Sequence, residues 1–537
     1  MKQEIREIIT QVIGKVFPED KNIDFNIEVS PDEKYGDYST NMALVLAKKA
    51  GERPEEIAKK IIKMIGELDN QMIGEIEVKK PGFINFKIAL PYLQNKILEI
   101  FNVGKQYGNS DLGKDLKVNI EFISANPTGP LTLGNGRGGY NGDCLANVME
   151  AFGAEVEREY YINDRGAQIV KLGHSILKDD QAVYRGKYID ELRNLISHCH
   201  TEQYSSGKPA VVGQLAAPIV MEEYITKTIH KMGIKFDRWF SESALYKGLI
   251  EEAMGMLESN QLTYEKDGAL WLKTTDFGDD KDRVLITKEN EFTYFASDIA
   301  YHWHKIQRGY NLLIDFWGAD HHGYIGRMKA AVEIIKKQIN WGGQLEILIS
   351  QLVRLISQGQ EIKMSKREGT YVTLDELMDE AGTDVTRFFF LERNLNTHLD
   401  FDLDLAKEKS EKNPVYYVQY AYARICSIMK KCKMQDAKCK VTNQNLKFIE
   451  EPAEIALIKE LIKLPDIVVE TAEDYQVQRL PYYAIELAKK FHNFYEKCRV
   501  ISDDKDLTQA RIKLVSATQI VLKKSLDLMG ISAPEKM

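Results

Sequence analysis

The chain reads as an α/β protein: a central domain built on a doubly wound parallel sheet, an N-terminal α/β domain and a C-terminal all-α domain. Three observations predict this. Between about residues 114 and 400, β-branched and aromatic runs alternate with helical periods, the rhythm of a parallel sheet covered by helices. From Asn413 to Met537 the apolar period is helical throughout. Before residue 110, two helical periods precede a turn-and-strand signal. A length of 537 residues is ample for several such cores.

In chain order, helices are expected at 2–16 and 54–68, with Pro81-Gly82 turning into a strand at 83–87. Tyr35-Gly36-Asp37-Tyr38-Ser39-Thr40-Asn41 is a polar, aromatic-bearing loop or helix start. A glycine-bearing run at 103–113 marks a linker, so the domains are drawn as 1–110, 111–400 and 401–537. Central strands are expected at 118–124, 156–161, 312–317 and 345–350, and helices at 135–152, 296–308 and 323–337. From about 170 to 276 the rhythm breaks, which reads as an insertion. Thr373 and Glu376 fit a capping box. Asp400, Asp402, Asp404 and Glu411 mimic a calcium loop, but Leu405 occupies the position that needs glycine.

Composition narrows the class. Hydrophobic content of 44% and charged content of 28% are ordinary for a globular chain. No window reaches the roughly 20 apolar residues of a membrane span, and the acidic, helically spaced start M-K-Q-E-I-R-E-I-I is not a signal peptide. Six scattered cysteines without a C-x-x-C pair point to reduced thiols and a cytoplasmic address. His198-Cys199-His200 has no second ligand pair, and His321-His322 has no third ligand at a useful spacing, so no protein-bound metal is expected. A net charge of −8 neither supports nor refutes a nucleic-acid partner, because a local basic face suffices.

The chemistry concentrates at 118–139, V-N-I-E-F-I-S-A-N-P-T-G-P-L-T-L-G-N-G-R-G-G. A strand runs into a turn broken by two prolines, and glycines then bring the backbone to a helix mouth. Unpaired N–H groups and the positive dipole end make an anion site there. Gly134, Gly136 and Gly139 also satisfy G-x-G-x-x-G, but the fingerprint needs its first glycine directly after the strand; a nicotinamide site is the weaker reading. Lys363-Met364-Ser365-Lys366-Arg367-Glu368-Gly369 is a cationic loop suited to charge developing on a phosphoryl group. Asp320 and a neighbouring histidine, closing a strand, suit ribose hydroxyls or an amino-acid ammonium.

Seven segments then carry a resemblance: I-E-F-I-S-A-N-P-T-G-P (120–130), Y-Y-I-N-D-R-G-A-Q-I (160–169), F-G-D-D-K-D-R-V-L (277–285), T-Y-F-A-S-D-I-A-Y-H (293–302), W-G-A-D-H-H-G-Y (317–324), N-P-V-Y-Y-V-Q-Y-A-Y-A-R (413–424) and the ending G-I-S-A-P-E-K-M. T-L-G-N at 132–135 sits where class I aminoacyl-tRNA synthetases carry H-I-G-H, and K-M-S-K-R looks like their K-M-S-K-S loop. The chain resembles the arginyl-tRNA synthetases of that class nearly end to end. This implies a Rossmann-like catalytic domain, ATP-dependent activation of L-arginine, and transfer to tRNA(Arg). ATP would arrive with Mg²⁺ held mostly by its own phosphates.

By the resemblance, Thr132, Asn135, Lys363, Lys366 and Arg367 stabilise the transition state. Glu121, Tyr294 and Asp298 grip the guanidinium, whose planar, permanent charge needs carboxylates set for forked bonds. Asn126 holds the α-amino group and Asp320 assists. Gly134, Asn135, Gly136, His321, His322, Met364 and Ser365 face ATP. Tyr35, Tyr38 and Asn41 match a motif that touches the tRNA elbow. Tyr416, Tyr420 and Arg424, leading to Lys430, Lys431, Lys433, Lys438 and Lys440, suit stacking on splayed anticodon bases, with about half of the tyrosines in this helix expected in the core. A monomer is expected, with no DNA or membrane partner. The family usually has histidines where this chain has Thr132 and Asn135. Either neutral donors serve here, or the chain is a degenerate paralogue that binds arginine or tRNA without charging.

Overall fold

The computed structural model describes residues 1–20, 23–362, 373–434 and 443–537. Its strands, in chain order, are β1 (Ile27–Val29), β2 (Tyr38–Thr40), β3 (Ile73–Lys79), β4 (Phe83–Ile88), β5 (Lys117–Glu121), β6 (Glu155–Ile162), β7 (Arg238–Ser241), β8 (Thr263–Lys266), β9 (Ala269–Leu272), β10 (Arg283–Ile286), β11 (Leu312–Gly318), β12 (Gln344–Ser350), β13 (Val353–Ser357), β14 (Gln360–Ile362) and β15 (Leu399–Asp402).

The central sheet runs β12-β11-β5-β6-β7 and is parallel throughout. Val118 to Glu121 of β5 are all buried, as befits a strand covered on both faces. The winding reverses between β5 and β11, and ligands bind outside the C-terminal strand ends at such a point. That places Glu121 and Asp315–Gly318 at the mouth. The strands at 156–161, 312–317 and 345–350 are observed to within a residue at either end.

Two differences from the sequence reading matter. Strand β5 stops at Glu121, not Ser124: Ile123 and Ser124 take positive φ values of 67° and 37°. A β-branched residue there is strained by about 1–3 kcal/mol. The kink turns Ile123 and Ser124 off the sheet axis and into the mouth. Second, 170–276 is not outside the sheet throughout, since Arg238–Ser241 returns as edge strand β7 beside Tyr160 and Tyr161.

The helix Leu133–Phe152 follows the turn and packs beneath β5 and β11, with Phe122 closed against Gly142. Arg137, fully buried, ties it to the carbonyls of Gln351 (3.0 Å) and Asn394 (2.8 Å). The N-terminal sheet, β1-β2-β4-β3, is antiparallel. The N-terminal segment meets the C-terminal helices through Asp37, just before β2, to Lys459 (2.6 Å) and through the Lys2 amide, at the start of the first helix, to Asp466 (3.1 Å). Among the described residues from Pro414 onward every element is helical, and no helix is long and apolar enough to cross a membrane.

Candidate active site

Two cavities open side by side at the switch point and share Ile123, Phe316, Trp317 and Gly318. One, of about 480 Å³, is lined by Thr132, Leu133, Gly134, Asn135, Gly138, Ala319, Asp320 and the run Ser350–Val353. The other, of about 440 Å³, is lined by acids and aromatics: Glu121, Tyr161, Tyr294, Asp298, Asp315 and Tyr324 among them.

The first cavity is a backbone site. Thr132 caps the Leu133–Phe152 helix, and Asn135 closes a reciprocal box: the Thr132 amide (3.0 Å) and hydroxyl (2.7 Å) both donate to Asn135 Oδ1. With Oδ1 accepting twice, the Asn135 amide NH₂ is left as the donor at the cavity wall. Thr132 spends its hydroxyl hydrogen on the cap. Gly134 is exposed at the mouth beside the free N–H groups of the first turn. Gly136, read from sequence as facing the nucleotide, does not line the cavity. A Cβ there would lie 2.6 Å from Leu374 Cδ1, so the position is kept bare for packing. Gly138 lines the wall instead. Leu374 also donates its amide to the Leu131 carbonyl (3.0 Å), and Thr373 with Glu376 forms the expected capping box. The helix after the K-M-S-K-R loop is therefore anchored on the glycine turn. Lys363, Met364, Ser365, Lys366 and Arg367 themselves lie outside the described residues.

The second cavity is an ionic site. Glu121 ends β5, and Asp298 lies on the helix Tyr294–Gln307, one turn after Tyr294. Burial pushes the Asp298 carboxyl up to about 6 while the Tyr324 hydroxyl, donating to Oδ2, pulls the other way. Burial also raises Glu121, against the attraction of Lys305, whose ammonium stands 2.6 Å from Oε2. Lys305 also reaches Asp315 Oδ1 at 2.9 Å, and His302 Nε2 lies 2.8 Å from Asp315 Oδ2. The other nitrogen of His302 is 2.8 Å from the Asp298 carbonyl. Both ring nitrogens thus face acceptors, a pattern only imidazolium satisfies. Against the cost of burial, Lys305 and His302 hold Asp315 well below the usual carboxylate range. Asp298, His302 and Lys305 recur at helical spacing, the signal that a sequence reading had available and did not use. Ser124, Tyr161, Asn163 and Tyr324 complete the wall and were also missed; the kink after Glu121 and the fold, not local spacing, bring them there.

Four placements bear on the sequence reading. Asp320, read as suiting ribose hydroxyls or the arginine ammonium, lines the glycine-lined cavity, 3.6 Å from His321. His321, expected with ATP, lines the acidic cavity, its ring 6.2 Å from Trp317. His322 is exposed and lines neither. Asn126 is also exposed and outside both linings; its carbonyl accepts the Thr128 amide (2.7 Å) in the proline turn.

Comparison with known proteins settles the family. Residues 3–88 match the family described as arginyl tRNA synthetase N terminal domain. Residues 211–409 match tRNA synthetases class I (R), catalytic domain, and residues 418–537 match the DALR anticodon binding domain. An arginine–tRNA ligase of Syntrophotalea carbinolica is 40% identical, covering 100% of both chains. One from Listeria welshimeri is 42% identical over 100% of this chain and 98% of its own. The chain belongs to the arginyl-tRNA synthetases. It is an aminoacyl-tRNA synthetase, a ligase. The Thermus thermophilus arginyl-tRNA synthetase structure, 22% identical with a TM-score of 0.80 over 100% of both chains, has the same fold.

On the two faces where this synthetase was expected to meet RNA, the rings divide. Tyr35 is 40% exposed at the N-terminal loop, but Tyr38 is 3% exposed and belongs to the core beneath β2. Strand alternation from β2 turns that ring inward, so it offers no stacking face. The Asn41 side chain holds the loop by accepting the Asn26 amide (2.9 Å). In the helix Pro414–Met434, Tyr422 is buried while Tyr416, Tyr417 and Tyr420 are half-buried, so fewer rings are core than expected. Tyr416 and Tyr420 stack with centroids 6.3 Å apart, and Arg424 lies between the Tyr420 and Tyr495 rings. Tyr495, on another helix, was missed. Lys438, Lys440 and the Lys433 side chain lie outside the described residues.

Proposed function

We propose that the acidic cavity holds L-arginine and the neighbouring glycine-lined cavity holds ATP, so that the chain forms arginyl-adenylate and passes arginine to the 3′ end of tRNA(Arg). The observation that carries this reading is that Glu121, at the end of a central strand, and Asp298, on the helix Tyr294–Gln307, line one cavity that shares a wall with the glycine-lined one. A guanidinium fits between two carboxylates as forked, charge-assisted hydrogen bonds. Tyr294, one turn before Asp298 and 67% exposed, covers the entrance.

The arginine carboxylate oxygen attacks the α-phosphorus of ATP in line. The bond to the bridging oxygen breaks and pyrophosphate leaves with Mg²⁺, its charge met by Lys363, Lys366 and Arg367. The first-turn N–H groups and the Asn135 amide donate to the phosphoryl oxygens. The terminal ribose hydroxyl of tRNA then attacks the adenylate carbonyl, releasing AMP. Positioning and electrostatics account for most of this chemistry. Asp320 on the nucleotide side suits a ribose hydroxyl, and His321 on the acidic side suits the arginine carboxylate or amino end. We assign residues 1–110 and 401–537 to tRNA contact, through Tyr35 and through Tyr416, Tyr420 and Arg424, around a catalytic unit at 111–400. We further place the enzyme in the cytoplasm as a monomer.

The test is charging of purified total tRNA with arginine, the other amino acids serving as controls. Arginine-dependent charging faster than that of Lys363→Ala supports the reading. Charging no faster than that control leaves a protein that binds without catalysing.

A further inference from the structure

Behind the acidic cavity lies a charge cluster that no step above uses. Lys305 is 0% exposed, and its Nζ sits 2.6 Å from Glu121 Oε2, 2.9 Å from Asp315 Oδ1 and 4.4 Å from the centre of the Tyr301 ring. Glu121 Oε1 accepts from Ser124 Oγ (3.0 Å) at the cavity wall. The other charged groups nearby are already engaged. Glu159, on β6, accepts from Arg308, from Asn119 Nδ2 (2.6 Å) and from the Tyr301 hydroxyl (3.1 Å). His302, on the helix of Lys305, spends its two nitrogens on Asp315 and on the Asp298 carbonyl. Asp298 takes the Tyr324 hydroxyl, and the Tyr161 hydroxyl and Glu242 carboxyl complete the titratable surroundings. Among the described residues, Lys305 is the cation in contact with Glu121.

We propose that Lys305 is a positioning residue for amino-acid recognition: its buried ammonium keeps Glu121 ionised and fixes one oxygen edge toward the cavity, so that it sets the affinity for a guanidinium it does not touch. The inference rests on the reading of that cavity as the arginine pocket. Its physical basis is the crowding of Glu121, Asp315 and Glu159 in a dry space. Burial favours the neutral acid, and a protonated Glu121 would present a donor to a substrate that is itself all donors. Arg308 pairs with Glu159, and Lys305 is shared between Asp315, which His302 also meets, and Glu121, for which it is the cation in contact. Its second contact, to Asp315, locks the ammonium in place so that it does not swing into the cavity and compete with the substrate.

The experiment compares wild type with Lys305→Gln, which keeps a donor for Glu121 without the charge, and Lys305→Met, which removes both. Arginine and ATP KM values and kcat are measured by tRNA charging from about pH 6.5 to about pH 9, spanning a raised carboxyl pKa while arginine stays a cation. Both variants are expected to raise the arginine KM at neutral pH by about tenfold or more, as for one lost charge-assisted hydrogen bond. ATP KM and kcat stay within about twofold. The ratio of variant to wild-type arginine KM falls as pH rises, because Glu121 then ionises without help. A pH-independent loss spread over arginine KM, ATP KM and kcat would show a structural role and overturn the proposal. So would an unchanged arginine KM, or failure of both variants to fold. Absence of arginine charging by the wild type would instead remove the pocket assignment itself.

Discussion

The two halves of the active site are built from different materials. On the acidic side, proposed for arginine, carboxyl groups are taken out of water and each is met by a cation or a hydroxyl: Glu121 by Lys305, Asp315 by Lys305 and His302, Asp298 by the Tyr324 hydroxyl. On the side proposed for the nucleotide, the walls are glycine, alanine, apolar side chains, helix-terminal backbone and a neutral Thr132–Asn135 box, with Asp320 the one carboxylate among the described residues lining it. A small, permanently charged side chain must be distinguished by fixed charge. A polyphosphate is met by N–H groups that every residue carries. On the proposed reading, threonine and asparagine can serve where the resemblance expects histidine: the helix mouth remains whatever occupies those positions, provided they cap it.

The contrast can be attacked from its strongest expected effect downward. Asn135→Asp keeps the acceptor that caps the helix but replaces the amide donors with negative charge. It should lower kcat by about 100-fold, the scale of one lost transition-state donor, with the arginine KM little changed; steady-state charging reads both. A harmless substitution would mean that backbone alone serves the phosphates. A smaller effect is expected from pH. The Asp298 carboxyl, pushed up to about 6 by burial, is charged above that value and neutral below it. The arginine KM should therefore rise about tenfold for each pH unit below about 6, while the ATP KM stays flat until the fold itself fails. A parallel rise in both would erase the distinction between the two sides. The smallest effect is structural. Gly136→Ala must push Leu374 aside, at a cost of about 1–3 kcal/mol visible in denaturant unfolding. ATP KM should hold, since this glycine packs and does not line the cavity.

How much of this was legible in the sequence follows from the range of the forces involved. Strands β6, β11 and β12 and the helix Tyr294–Gln307 carry their own periodicity, so they were read to within a residue or two. The Thr373 capping box sits in a local pattern and is observed; Glu121, Asp298 and Asn135 were named through the resemblance, since a strand carboxylate or a first-turn acid has no local pattern that marks it as a ligand group. The kink at Ile123 was not, because a β-branched residue at positive φ contradicts its own preference and is imposed by the surrounding fold. The short strand β7 lies far from its partner in sequence and has only four residues, too few for a period to register. Tyr38 was read as a stacking ring since a loop tyrosine and a core tyrosine look alike until pairing with Phe86 turns it inward. Asp320 and His321 sit on the tight turn where the two cavities meet, their side chains 3.6 Å apart, so spacing alone could not assign either to one side.

The account stands or falls on which small molecule the acidic cavity holds, and Asp298→Asn measures that most directly. The substitution removes one charge from the cavity wall and keeps the shape. In charging assays at neutral pH it should raise the arginine KM by about tenfold to about 100-fold, as expected for a charge-assisted hydrogen bond lost to a cation, and leave the ATP KM as in wild type. Equal increases in the two, or an increase for ATP alone, would contradict the assignment.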